Sequence, residues 1–118
     1  MTGSCDCVFC KIVNKELPAA VLYEDEEILA FKDIAPQAPH HILLIPKKHL
    51  PDLASITEAD IPLLGKLCYL AAQIAARLGI DQSGYRLITN CREDSGQEVP
   101  HLHFQLVGGV FLGAFITK

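Results

Sequence analysis

The stretch Val99–Gly109, VPHLHFQLVGG, sets His101, His103 and Gln105 at every second position and closes on two glycines. On a strand these three side chains project from one face, roughly 7 Å apart at each step, because the rise is about 3.3 Å per residue. Leu102, Phe104 and Leu106 take the opposite face, toward a core. An amphipathic edge strand with a wet polar face carries the same pattern. The polar row nevertheless has a chemistry. A neutral imidazole attacks phosphorus at neutral pH when a hydrogen bond at its other nitrogen fixes the tautomer. Backbone N–H groups, a glutamine amide and a second imidazole supply the donors that a phosphoryl group needs around its non-bridging oxygens. Two imidazoles on one face also suit a metal ion.

A second constellation is Cys7 and Cys10, a C-x2-C pair whose spacing lets two thiolates share one tetrahedral ion. A pair of buried thiols in a small helix has the same spacing. The five cysteines are an odd number, and the opening MTGSCDCVFC lacks the charged-then-apolar order of a signal peptide. Both points favour a cytoplasmic protein whose cysteines are thiols, core fillers or metal ligands rather than disulfides. Cys68 falls among core-type residues, and Cys91 has no obvious partner.

These groups need a scaffold. CVFCKIVNKEL reads as a short amphipathic helix of two or three turns that Pro18 stops. AAVLYED and EILAFKD are β-prone runs separated by acidic residues, which predicts a hairpin. After a loop with two prolines, HILLIPK reads as a strand buried on both faces. Leu63, Leu64, Leu67, Ala71, Ile74, Ala75 and Leu78 recur at helical spacing, so residues 57–78 form the clearest element. Thr57 or Asp60 caps it, Pro62 sits in its first turn and Gly79 ends it. YRLITN is a strand, CREDSGQE a polar loop, and HLHFQLVGG the last strand. The order of helix, three strands, long helix and two strands predicts an α+β fold with a five-stranded antiparallel sheet.

The chain of 118 residues is half apolar, enough for a single domain over residues 1–118, although a metal or a partner subunit would help one so small. Its net charge of −4, with both signs interspersed, offers no basic face for nucleic acid and no polybasic anchor for a membrane. A small ligand or a protein partner is the expected binding class.

HLHFQLVGG, together with FKDIAPQAPHHILLIPKKH and CVFCKIVNKELPA, resembles the histidine triad superfamily of nucleotide hydrolases and transferases, from about Cys7 to Gly109. The resemblance implies a HIT-like fold, usually a homodimer, that binds purine nucleotides of the AMP or GMP type and attacks the α-phosphate. His103 matches the nucleophile that forms a covalent nucleotidyl intermediate, His101 the first triad histidine, and His41 the upstream histidine that closes the site. Asp33 matches the acid that binds the ribose hydroxyls, although an Asp in such a turn also serves as a cap. Phe9, Ile12, Phe31 and Ile34 match the wall around the base. Asn90 and the loop residues Gln97, Glu98 and Val99 match positions that contact phosphate, and Gly96 permits the tight approach. Glu98 stands where the small hydrolases often carry serine.

Zinc-binding members of the superfamily hold the metal with two cysteines and two histidines, here Cys7, Cys10, His49 and His101. Four protein ligands make such a zinc structural. Cys5 is a substitute for Cys7 that fits the family less well, and His40 falls on the opposite face with no family role.

Gln105 departs from the pattern. The small branch that cleaves nucleoside phosphoramidates carries a third histidine there, whereas glutamine resembles the nucleotidylyltransferases. An amide holds a phosphate oxygen but does not titrate, so it does not protonate a leaving amine. The leaving group is then a good one, or His41, His101 or water supplies the proton. An adenosine 5′-monophosphoramidase-like hydrolase is the leading expectation. The alternatives are a nucleotidylyltransferase, a dinucleoside polyphosphate hydrolase and a nucleotide-binding regulatory module with little turnover.

Overall fold

Alternation of side chains along five strands divides the molecule into a helix-covered face and a functional face. The computed structural model describes residues 7–114. Along them run α1 (Val8–Val13), β1 (Val21–Glu24), β2 (Ile28–Lys32), β3 (His40–Pro46), α2 (Ile61–Arg77), β4 (Tyr85–Ile88) and β5 (Phe104–Gly108). The strands form one antiparallel sheet in the order β1-β2-β3-β5-β4. The architecture is therefore α+β, with one long helix and one short one, as the sequence predicts.

On one face Ile28, Ala30, Ile42, Leu44, Phe104 and Leu106 meet Leu67, Leu70, Ala71 and Ile74 of α2, with Leu102 beside them. Alternate residues face the other way, where Leu29, Phe31, Leu43 and Ile45 pack against Phe9 and Val13 of α1. β3 is buried on both faces, in keeping with its near-continuous apolar run.

Local chemistry sets the boundaries. Asp60 accepts the backbone N–H of Thr57 at 2.9 Å in a capping box, Pro62 occupies the first turn, and Gly79 at φ +76 follows the C-cap. The β1–β2 turn is built by Asp25, whose Oδ1 accepts the N–H groups of Glu27 and Ile28 at 2.7 and 2.8 Å. Lys66 of α2 reaches back to Asp25 and Glu27 at 2.8 and 3.0 Å and ties the hairpin to the helix.

Three local expectations need correction. Helix α1 is six residues long and ends at Asn14, where Lys15 turns left-handed at φ 65, so it stops before Pro18 is reached. Cys68 is exposed, because its position on α2 lies off the Leu67, Leu70, Ala71 and Ile74 stripe. The last strand starts at Phe104 rather than at His101, because Leu102 leaves the ladder and donates its N–H to the Leu50 carbonyl at 2.6 Å.

Candidate active site and metal centre

Register brings the polar row together. Gln105 pairs with Leu43 across β3–β5, which leaves His41 diagonal to it on the same face. His103 precedes β5, and its backbone is held by Thr89, whose hydroxyl donates to the His103 carbonyl at 2.9 Å. A cavity of about 310 Å³ opens over this row, bordered by His41, His103 and Gln105 together with Phe9, Asp33 and Asn90. Gln37, Leu43, Gly96, Gln97, Glu98 and Val99 complete much of its wall.

Hydrogen bonds fix the state of each ring. The His103 Nδ1–H donates to the carbonyl of His101 at 2.7 Å, so Nε2 carries the lone pair and has no protein partner among the described residues. The His103 ring is 7% exposed and meets Phe9 edge-on, with centroids 5.0 Å apart. His41 accepts the backbone N–H of Gln37 at its Nδ1, 3.0 Å away, which makes its Nε2 the protonated nitrogen. That Nε2–H donates to Gln105 Oε1 at 2.8 Å, while Asp33 Oδ2 lies farther off at 3.5 Å.

Asp33 combines a local cap with a place on the cavity wall. Its Oδ1 accepts the N–H of Ala35 at 2.8 Å as a local cap, and its side chain borders the cavity. Phe9 also borders it. Ile12, Phe31 and Ile34 do not: Phe31 lies buried behind Phe9, Ile12 faces a separate surface depression near Lys15 and Leu17, and Ile34 is wholly exposed.

The loop after β4 is pinned by Gln97. Its Oε1 accepts the Arg92 N–H at 2.6 Å, and its Nε2 donates to the carbonyls of Pro51 and Val99 at 2.8 and 2.9 Å. Gln97 thus shapes the loop with its amide instead of offering it to a ligand. Arg92 also binds Asp52 at 2.9 Å, and this contact together with the Ser55 hydroxyl holds the Asp52 carboxyl below the usual carboxylate range. Gly96 takes φ +84 here, a conformation that a side chain would strain. The backbone N–H groups of Glu98 and Val99 have no acceptor among the described residues, and both residues border the cavity. They are donors of the kind an oxyanion requires.

Cys7, Cys10, His49 and His101 meet beside this cavity, their four donor atoms within 4.8 Å of one another. Tetrahedral zinc, with Zn–S near 2.3 Å and Zn–N near 2.0–2.1 Å, would place S···N pairs about 3.6 Å apart and the N···N pair about 3.3 Å apart. The S···N distances are 3.8 and 3.3 Å from Cys7 and 3.5 and 3.6 Å from Cys10, and the two Nδ1 atoms lie 3.1 Å apart. His101 donates Nε2–H to the Pro46 carbonyl at 2.8 Å, which leaves its Nδ1 as the lone pair facing the cluster. Burial pushes the His101 imidazole down to about 4, opposed by the Pro46 carbonyl and reinforced by His49 and His103. The donor set fits a metal ion. Cys5, the other cysteine considered, lies outside the described residues.

Among the residues missed from sequence, Gln37 matters most, because it acts through a backbone N–H that no side-chain pattern announces. His40 lies next to Gly109, whose φ of +94 and closeness to Pro39 leave no room for a Cβ.

A family model described as the HIT domain matches residues 14–111, and the chain belongs to the HIT family. Among its relatives, the purine nucleoside phosphoramidase of Escherichia coli K12 is 41% identical over 112 residues, covering 95% of this chain and 94% of that protein. An uncharacterised HIT-like protein of Synechocystis is 51% identical over 104 residues, covering 88% and 90%. A HIT family hydrolase from Clostridium thermocellum superposes with a TM-score of 0.91 at 48% identity, covering 95% of this chain and 97% of that one. Among the described residues, no helix is long and apolar enough to cross a membrane.

Proposed function

We propose that this chain is a purine nucleotide hydrolase that cleaves at the α-phosphate of a nucleoside 5′-phosphoryl substrate through a nucleotidyl intermediate on His103. The observation that carries the reading is the tautomer of His103. Its Nδ1–H is committed to the His101 carbonyl, and its Nε2 keeps a lone pair with no protein partner among the described residues in a ring that borders the cavity. Gln105, Glu98 and Val99 supply N–H donors around the phosphate, Asp33 receives the ribose hydroxyls and Phe9 borders the base side. Two in-line displacements, onto His103 and then onto water, retain configuration at phosphorus. The name of the E. coli relative supports the substrate class.

Zinc held by Cys7, Cys10, His49 and His101 is part of the same reading, as a structural ion with a full set of protein ligands. So is a homodimer across the outer face of α2 and the edge strand β4, where Ile61, Tyr69 and Tyr85 are exposed. Work in the cytoplasm on a small ligand is part of the same reading.

The test is direct. The purified protein is mixed with an adenosine 5′-phosphoryl substrate, quenched in base and examined by mass spectrometry. An adenylyl group should be found on His103 and be absent from His103→Ala. A protein that binds nucleotide yet forms neither adduct nor product would sink the proposal and leave the regulatory-module alternative.

A further inference from the structure

The geometry points to a leaving-group rule for this site. Gln105 is a fixed hydrogen-bond donor, locked by His41, and neither it nor any histidine of the site delivers a proton to the departing group. The inference rests on the reading of His103 as nucleophile. It narrows the substrates to nucleoside 5′-phosphoryl compounds whose leaving group departs as a weakly basic anion, as from a mixed anhydride or an aryl ester.

The lock is a chain of three groups with one solution. A backbone N–H only donates, so the Gln37 N–H at 3.0 Å obliges His41 Nδ1 to accept and puts the ring proton on Nε2. A protonated Nε2 at 2.8 Å obliges the near atom of the Gln105 amide to be its oxygen. The amide NH2 therefore points away from His41, and it has no acceptor among the described residues. It is oriented to donate to a non-bridging phosphate oxygen, and its proton is not transferable at neutral pH.

The other sources of a proton are closed by the same accounting. His41 has one ring proton, already donated to Gln105. His101 uses its Nε2–H on the Pro46 carbonyl and turns its lone pair to the metal cluster. His103 uses its Nδ1–H on the His101 carbonyl and attacks with the other nitrogen. The first step is then balanced without proton transfer. The Nε2 lone pair forms the N–P bond, and the P–O bond to the leaving group breaks with its electron pair on the departing oxygen. In the second step water forms a new P–O bond, the N–P bond breaks, and the released proton goes to solvent. An alkylamine, which needs a proton to leave, is the poor substrate.

The border of the cavity adds to this selectivity. It contains two acidic side chains, Asp33 and Glu98, and no lysine or arginine among the described residues. A leaving group with several negative charges gains no compensating cation there.

The experiment measures the rate of His103 adduct formation with adenosine 5′-phosphate esters of substituted phenols of graded acidity, alongside an alkyl phosphoramidate. General acid catalysis is worth roughly 10²–10⁴-fold, so the phosphoramidate should react at least about 10²-fold more slowly than the most acidic phenol ester. The logarithm of the rate should fall steeply with phenol pKa. Gln105→His should flatten the slope and raise the phosphoramidate rate. His41→Ala should slow every ester with the slope unchanged, and His41→Gln, which again donates toward Gln105, should recover part of the loss. A steeper slope in His41→Ala would show that His41 is the acid, and a flat slope in the wild type would show that some group protonates the leaving oxygen; either overturns the rule. If the most activated ester leaves no adduct on His103, the nucleophile reading itself fails, and the rule with it.

Discussion

His103 and His101 share a hydrogen bond of 2.7 Å from the ring of one to the backbone carbonyl of the other, while the His101 ring faces Cys7, Cys10 and His49. One residue therefore sets the tautomer of the proposed nucleophile with its main chain and joins the candidate metal cluster with its side chain. With zinc in this cluster as proposed, its removal by a strong chelator, or Cys7→Ser, is expected to lower stability and slow adduct formation together. A loss of about 2 kcal/mol corresponds to roughly 8 °C in a domain of this size. Thermal melts with parallel metal analysis check it. Stability unmoved in a variant shown to have lost its metal would mean that the ion contributes nothing to the fold.

The loop that offers the Glu98 and Val99 amides depends on the side chain of Gln97, which makes three hydrogen bonds to backbone groups. Gln97→Ala is expected to cost about 0.5–1.5 kcal/mol, since two of the three bonds it loses are exposed and water replaces them. KM for nucleotide should rise more than kcat falls, because the donors are displaced while the nucleophile is untouched. Steady-state kinetics and a urea titration give the two numbers.

Phe9 stands edge-on to both His103 and His101, with centroids 5.0 and 5.9 Å away. Truncation by Phe9→Ala is expected to destabilise by about 3–5 kcal/mol, the usual cost of removing a buried aromatic ring. Phe9→Leu should restore most of the stability while adduct formation stays slow. Equal recovery of both would reduce Phe9 to a packing residue.

Acid should weaken the tie between the β1–β2 hairpin and α2. Burial opposes ionisation of Asp25, but hydrogen bonds from Lys66, Tyr23 and the N–H groups of Glu27 and Ile28 outweigh it and hold the carboxyl well below its usual range. The folded pKa lies below the unfolded one, so the ionised group contributes stability above about pH 4, and that contribution is lost as pH falls further. Denaturant midpoints should be level near neutrality and drop below pH 4. Asp25→Asn should be less stable at pH 7 and show a shallower acid slope.

Tyr69 is 62% exposed on the outer face of α2. If that face joins two copies, Tyr69→Glu should convert dimer to monomer in sedimentation. A wild-type chain that sediments as a monomer at micromolar concentration removes the proposed interface.

Much of this was readable from period and spacing. The row His101, His103, Gln105 is a period-two signal, and its assignment to one face survives even where Leu102 leaves the ladder for Leu50: Phe9 meets the rings of both His101 and His103, and His103 and Gln105 border one cavity. The stripe on α2 named Leu67, Ala71, Ile74 and Ala75 of the core but left out Leu70, and it misled at Cys68, where one step of 100° separates core from solvent. The Cys7–Cys10 pair was visible locally. Its partners His49 and His101 came only from resemblance, since no local rule joins residues so far apart in sequence. The orientation of Gln105 was beyond reach, because it depends on a main-chain N–H at Gln37 and on a strand register.

Helix α1 carries Cys7 as its cap, Phe9 against His103 and Cys10 in the candidate metal cluster, and Cys7 meets His101 across 94 residues of chain. During synthesis α1 must wait for the segment that carries His101 and leads into β5. Until His101 has been made, the Cys7, Cys10 and His49 cluster lacks its fourth donor and Phe9 lacks its imidazole contacts, so neither candidate centre is assembled before β5.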